Sequence, residues 1–594
     1  MFLKQNLYTK MQHIEDIEDI EIKKKTKKTF ETVIITPFQY NDIKEYMKCN
    51  NVLNWDKFSR GFQREYRYAL SKNMLREVYM KETHKPAPRQ LIKKACRSQY
   101  GILNVCVFTS AYPEYVDDEG VKQKQMFSCK HNCYYCPSEP NQPRSYLMDE
   151  PGVARANECD FDCVKQFHMR LNQYKGMGHP LDKIEFEVSG GTWSEYPRAY
   201  QREFMRDGYY AANTFNKEKR DRLTLEEEIK LNEHADIHII GLTIETRPDT
   251  IHLEELKLFR EYNVTRVQIG VQHTDNKILK KINRGHTIEE SMRAIRMLLN
   301  NGFKVDIHLM PMLPGATPDI DREMFEEVLN NPNLQVDQWK VYPTSVVPWS
   351  VLEEWYKKGK YKPYTNEELF DVLIEMKRKV HNRIRLIRIV RDINDHYIIG
   401  GCSVTHMRQL LLDKLKKEEE YCKCIRCRSV KTNKIDKNHK LRIDKFNSSD
   451  GLEYFISYVS DDERDLYGFC RLRISNDDTE KIEEIHKCAL IRELHVYSTL
   501  TPVNNTRDKY LEEDSIQHKG FGKRLLKRAE EIASYHNYKK IAVISGVGVR
   551  EYYRKQGYVL ETTYMKKEMS YISRLMNVLM CLIVKMSIMI RKIF

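Results

Sequence analysis

Between residues 86 and 400 short apolar runs alternate with amphipathic stretches of helical period, and no other feature of the 594-residue chain restricts its fold as much. Strand-like runs stand at 184–189, 237–244, 266–271, 305–310 and 338–342, and most end in Gly, Pro, Asp or Asn before a helical stretch begins. Strand and helix in strict alternation predict β-α units around a parallel sheet, because each strand needs a covering helix and a crossover to its neighbour. Functional groups in such a sheet gather at the carboxyl ends of the strands.

Cys129, Cys133 and Cys136 precede the first of these runs, spaced C-x3-C-x2-C. Such a loop brings three thiolates to one small volume, which suits a [4Fe-4S] cluster with one iron left open for a small molecule. Taken alone, the loop also reads as a zinc site or as reduced thiols. A second trio, Cys422, Cys424 and Cys427, lies in a Lys- and Glu-rich stretch at 411–450 that reads as a linker. It could hold zinc with His439 or His406 as fourth ligand, or stay reduced. Fifteen cysteines grouped in this way, behind a charged amino-terminal stretch without an apolar segment, predict a reducing, cytoplasmic setting.

Lys and Arg outnumber Asp and Glu by 99 to 85, a net +14 that favours an anionic partner such as nucleic acid. The surplus concentrates in Lys23, Lys24, Lys25, Lys27 and Lys28, and in Lys81, Lys85, Arg89, Lys93, Lys94 and Arg97, both candidate phosphate contacts. Residues 1–85 read as a polar, helical accessory region and 86–410 as the β-α domain. Residues 570–594 form an apolar tail in which 575–590 is short for a spanning helix, so membrane contact through it competes with docking on the protein.

Residues 451–569 read as a second α/β unit, with strands at 452–459, 466–474, 489–497 and 540–545. Gln517 to Arg524 carries Gly520, Phe521 and Gly522 just before a helix, a turn that offers backbone N–H groups and a positive helix end to a pyrophosphate, with Lys523 close by. That suits coenzyme A. Tyr552 and Tyr553 follow downstream and support that reading, with ordinary core packing as the alternative for the pair.

Taken in order, the cysteine loop, Ser189-Gly190-Gly191-Thr192, Glu245 to Asp249, Ile269 to Gln272, Asn283 to Thr287, Arg492 to Tyr497, Gln517 to Gly522 and Ile544 to Arg550 closely resemble the catalytic, third subunit of Elongator. Members of that family fuse a radical S-adenosylmethionine (SAM) domain to a Gcn5-related acetyltransferase (GNAT) domain, and the likeness spans residues 85–569. The resemblance implies a partial (β/α) barrel followed by a GNAT α/β domain, and an enzyme that builds a carboxymethyl group on C5 of the tRNA wobble uridine from acetyl-CoA. It implies that SAM is cleaved at the cluster, that a hydrogen is taken from the acetyl methyl, that carbon adds to C5, and that thioester hydrolysis leaves the carboxylate. It makes Cys129, Cys133 and Cys136 the cluster ligands, and places Gly190 and Gly191 beside SAM and Lys183 toward acetyl-CoA. It assigns Glu493, Leu494, His495, Val496, Gly520, Phe521, Gly522, Lys523 and Tyr553 to acetyl-CoA contacts, with Lys183 and Tyr553 as catalytic candidates. Lys340 and Tyr342 would face the same mouth. Further Elongator subunits are implied partners. A protein lysine acetyltransferase using the GNAT domain alone, and a tRNA-binding scaffold without turnover, are the rival readings.

Overall fold

A computed structural model describes residues 35–497 and 520–569, apart from 53, 85–87, 95–96, 99–100, 431–434 and 476–477. The lysine run at 23–28, Gln517 and the tail with its expected membrane contact lie outside the described residues. Among the described residues no helix is long and apolar enough to cross a membrane. The chain divides into two compact units, one of residues 1–93 with 176–178 and one holding the rest.

Among the described residues of the first unit three α-helices, α1 (Pro37–Cys49), α2 (Trp55–Tyr66) and α3 (Lys72–Thr83), start at Thr36, Asn54 and Ser71, whose side chains accept from backbone amides of the first turn. Ile43, Phe58, Phe62, Leu75 and Val78 form its core. Lys81, first of the second basic stretch, holds its ammonium over the Tyr40 ring, 4.9 Å from the centroid.

Among the described residues the second unit contains two seven-stranded sheets, besides two short two-stranded ones. In the first, β1 (Leu103–Phe108), β2 (Lys183–Ser189), β3 (His238–Thr246), β4 (Arg266–Gln272), β5 (Lys304–Leu309), β6 (Gln338–Val341) and β7 (Arg385–Arg388) run parallel in chain order. Helices on one face follow the strands, and several open on a Thr-x-x-Glu capping box, as at Thr224/Glu227, Thr287/Glu290 and Thr365/Glu368. Strand alternation divides the faces. In β2, Ile184, Phe186 and Val188 enter the core, while Glu185 and Glu187 turn to a concave, charged interior. The cysteine loop therefore follows β1, a strand that the sequence reading did not separate from its surroundings.

The second sheet runs β8 (Lys440–Ser448), β9 (Gly451–Val459), β10 (Leu466–Ile474), β11 (Cys488–Val496), β12 (Lys540–Val543), then β14 (Tyr564–Glu568) and β13 (Val559–Glu561). Only β11 and β12 pair in parallel. Residues 440–448, expected in the linker, form an edge strand along all of β9.

Candidate active site

The cysteine loop is held by the segment 282–285 and by Arg247. Tyr134 N donates to Ile282 O at 3.0 Å, and Asn283 Nδ2 to Asn132 O at 2.9 Å. Gly285, at φ +77°, lies so close beneath His131 that a Cβ would come within 2.4 Å of its ring. Arg284 and Arg247 point their guanidiniums at Cys133 Sγ, at 3.5 and 3.7 Å, and are themselves fixed by Gly270 O, Arg284 O and Asp249. Burial pushes the Cys133 thiol up, but the two guanidiniums outweigh it and bring its pKa below the ordinary value, which favours a thiolate. Burial raises Cys136, with Arg144 opposing. Cys129 Sγ lies 3.5 Å from Thr192 Oγ1.

Among the described residues the only His, Cys, Asp or Glu group whose ligand atoms all lie within 4.8 Å of one another is Cys422, Cys424 and Cys427. Cys129, Cys133 and Cys136 do not close that tightly. All three line one cavity of about 1650 Å³. Neither His439 nor His406 belongs to the tight trio: the His439 ring packs on Phe521 and its Nδ1 lies 2.9 Å from Asp436 O.

The cavity passes the carboxyl end of β2. Gly190, at φ +144°, would put a Cβ 1.8 Å from Thr109 Oγ1, and one on Gly191 would meet the Phe127 ring at 2.2 Å. Both positions exclude side chains for reasons internal to the fold, and they leave bare backbone facing the thiols. Deeper in, Glu187 accepts from Asn104 Nδ2 at 2.8 Å, Gln268 Nε2 at 3.1 Å and Lys340 Nζ at 3.3 Å. Burial raises Glu187, but Lys340 and Arg388 more than compensate and hold it at about 2. Lys340 is thus neutralised within the wall. Glu185 pairs with Arg266 at 3.2 Å, and burial pushes Asp306 up to about 7. Lys183 lines the cavity at the start of β2, its pKa lowered by burial.

The same cavity is closed by the second sheet. Glu493, Leu494, His495 and Val496 at the end of β11, Gly520, Gly522 and Lys523 at the start of a helix over Phe521–Tyr535, and Tyr552 and Tyr553 all line it. Phe521 is the exception: its ring is buried against Tyr467, Tyr458 and His439, so only its backbone is left for a ligand. Tyr553 packs into the core, whereas the Tyr552 hydroxyl reaches Gly522, where a Cβ would meet it at 2.8 Å.

Ion pairs lock the two sheets together. Arg492 donates to both oxygens of Asp337, at 2.7 and 2.8 Å, and to both of Glu453, at 2.9 Å. Arg471 bridges Asp337 and Glu493, at 3.2 and 3.0 Å. Gly546 abuts β3 so tightly that a Cβ would lie 2.1 Å from Ile240 O, and Arg550 and Arg554 clasp Glu233 at 2.7 and 2.6 Å.

Residues 204–328 match the radical SAM superfamily and 336–417 its C-terminal domain. The tRNA uridine(34) acetyltransferase of Dehalococcoides mccartyi is 35% identical over 485 residues, 80% of this chain and all of that protein. The chain belongs to its family. Within this radical SAM family of tRNA uridine(34) acetyltransferases, Elongator complex protein 3 of Schizosaccharomyces pombe is 33% identical over 83% of this chain and 88% of its own. The solved structure of archaeal Methanocaldococcus infernus Elp3, lacking its N-terminus, superposes with a TM-score of 0.66 at 33% identity, covering 79% of this chain and 99% of that one. This chain is an enzyme of the radical SAM class with a half-barrel of parallel strands and a separate C-terminal sheet.

The family's motifs acquire physical roles here. Asn283 to Thr287 brackets the cluster loop, Arg247 and Arg284 aim at Cys133, and Gly546 and Gly548 allow close docking. Sequence reading did not find Asp337, Glu453 or Arg471, because nothing local marks a charge whose partners sit on other strands or on the other sheet.

Proposed function

We propose that this chain modifies the wobble uridine of tRNA by radical SAM chemistry, taking from acetyl-CoA the carbon unit that becomes a carboxymethyl group. The observation that carries this reading is the single cavity lined both by Cys129, Cys133 and Cys136 and by Glu493 to Val496 with Gly522. Cys129, Cys133 and Cys136 would hold a [4Fe-4S] cluster, and the bare backbone at Gly190 and Gly191 leaves room for SAM beside it. When bound, the cluster supplies the electron that cleaves SAM. Arg247 and Arg284 keep Cys133 ionised. Glu187, Asn104, Gln268 and Lys340 are tied to one another on the barrel's inner face, which holds that part of the wall in place. The helix start at Gly520 to Lys523 would take the coenzyme phosphates and Glu493 to Val496 its pantetheine arm, with Lys183 and Tyr553 near the acetyl end. Cys422, Cys424 and Cys427 fit zinc, with the fourth ligand from outside the trio's own residues. Other Elongator subunits as partners and a cytoplasmic site of action belong to the same reading.

Anaerobic reconstitution with iron and sulfide, followed by assay of 5′-deoxyadenosine with SAM, acetyl-CoA and tRNA, tests it. Cleavage that depends on tRNA and vanishes in Cys133→Ala is expected. Acetyl transfer to lysine that survives Cys133→Ala, with no such cleavage, would favour a protein acetyltransferase instead.

A further inference from the structure

Trp349 occupies the left-handed backbone region, at φ +59°, and the residue is 44% exposed. A bulky side chain there is strained and persists only where its surroundings over-determine it, and such outliers gather at ligand sites. The cluster loop supplies the restraint. Trp349 O accepts from Ser138 N at 3.0 Å, two residues past Cys136, and Leu352 N donates to Tyr134 O at 2.8 Å. Trp349 N donates to the Glu353 carboxylate at 3.1 Å. The ring is not drawn into the core, so apolar burial does not account for it.

Two more rings continue from it. Tyr397 lies 6.1 Å from the indole, and the exposed His396 lies 4.2 Å from Tyr397. Tyr397 is backed by Leu147 and Val347, which line the cavity together with Pro137 of the cluster loop. The aromatic row therefore stands directly behind residues that line the cavity holding the thiols.

We infer that Trp349, supported by Tyr397 and His396, is a stacking platform for an unpaired nucleobase adjacent to the uridine that enters the cavity. This rests on the tRNA reading above. A uridine that reaches the cavity must leave its loop stack, which strips a neighbouring base of its partner, and an exposed aromatic face beside the cavity replaces that partner. A positioned ring also sets how far the strand can travel, which makes Trp349 a positioning residue for the target base.

W349G and W349F separate the platform from the fold, since glycine suits φ +59° and leaves the loop unstrained. Labelled anticodon stem-loop RNA and a fully paired RNA of equal length are titrated against each protein, with melting temperatures recorded in parallel. W349G is expected to melt at or above the parent, to bind the stem-loop about tenfold more weakly, and to bind the paired RNA unchanged. W349F should stay within about threefold of the parent. Parent-like stem-loop affinity in W349G, or equal losses on both RNAs, overturns the platform while the tRNA reading stands. A parent protein that binds neither RNA overturns both.

Discussion

Removing the Asp337 carboxylate should cost this protein more than any single change outside its core. Asp337 is 1% exposed, accepts from Arg492 Nη1 and Nη2 and from Val305 N, and lies 3.2 Å from Arg471 Nε. Asp337→Ala leaves Arg471 and Arg492 buried with one carboxylate fewer, at about 3–5 kcal/mol, and orphans a backbone amide for a further ~1–3 kcal/mol. Asp337→Asn keeps the acceptor for Val305 and should cost less. Joint replacement, Asp337→Leu with Arg492→Met, should recover much of the loss, because a buried pair exchanged whole for apolar groups is often neutral. Urea unfolding of the parent, Asp337→Leu, Arg492→Met and their double variant gives the coupling, with Asp337→Ala and Asp337→Asn unfolded beside them and acetyl-CoA binding measured in parallel. Asp337 touches Arg471, which holds Glu493 at the cavity wall, so the single variants should also bind acetyl-CoA more weakly. Burial works against the Asp337 charge but Arg492 and Arg471 hold its pKa well below the usual carboxylate range. Its contribution is therefore complete above about pH 4 and lost only in strong acid. Strictly additive losses, or an Asp337→Ala cost under about 1 kcal/mol, would refute the reasoning.

Asp306 should behave in the opposite sense: burial raises it to about 7, so it subtracts stability as pH rises from about 4 through 7. Asp306→Asn is expected to gain up to ~4 kcal/mol at pH 8 over the parent and nothing at pH 4, read from urea midpoints at both pH values. Gly546→Ala places a methyl 2.1 Å from a backbone oxygen of β3 and should lose about 1–3 kcal/mol, seen as easier proteolysis of the second sheet. Arg284→Met should lower iron retention after anaerobic gel filtration, since Cys133 loses a guanidinium 3.5 Å away that favours its ionised form.

Five of the seven parallel strands were legible as apolar runs, and each begins and ends within two residues of its expected place. The two missed strands have clear causes. In β1, Asn104 and Cys106 alternate with apolar residues, so the run reads as loop until β2 lies beside it. In β7, four residues with Arg at both ends offer too short a pattern. The edge strand β8 carries Lys440, Arg442, Asp444 and Lys445, charges that keep an edge from pairing with strangers and also disguise it as a linker. Cys129, Cys133 and Cys136 and the glycine pairs stood out because their spacing is local. The salt-bridged lock, the packing demand on Gly546 and the turned-in ring of Phe521 depend on contacts between distant segments, which no local pattern announces.

Carbon-13 acetyl-CoA supplied with SAM and tRNA to the anaerobically reconstituted protein gives the most direct test that one cavity joins the two chemistries. The mass of the wobble nucleoside should rise by a carboxymethyl group bearing both labelled carbons, and the product should disappear in Cys133→Ala. Label on protein lysines alone, or a labelled nucleoside made equally well by Cys133→Ala, would contradict that union.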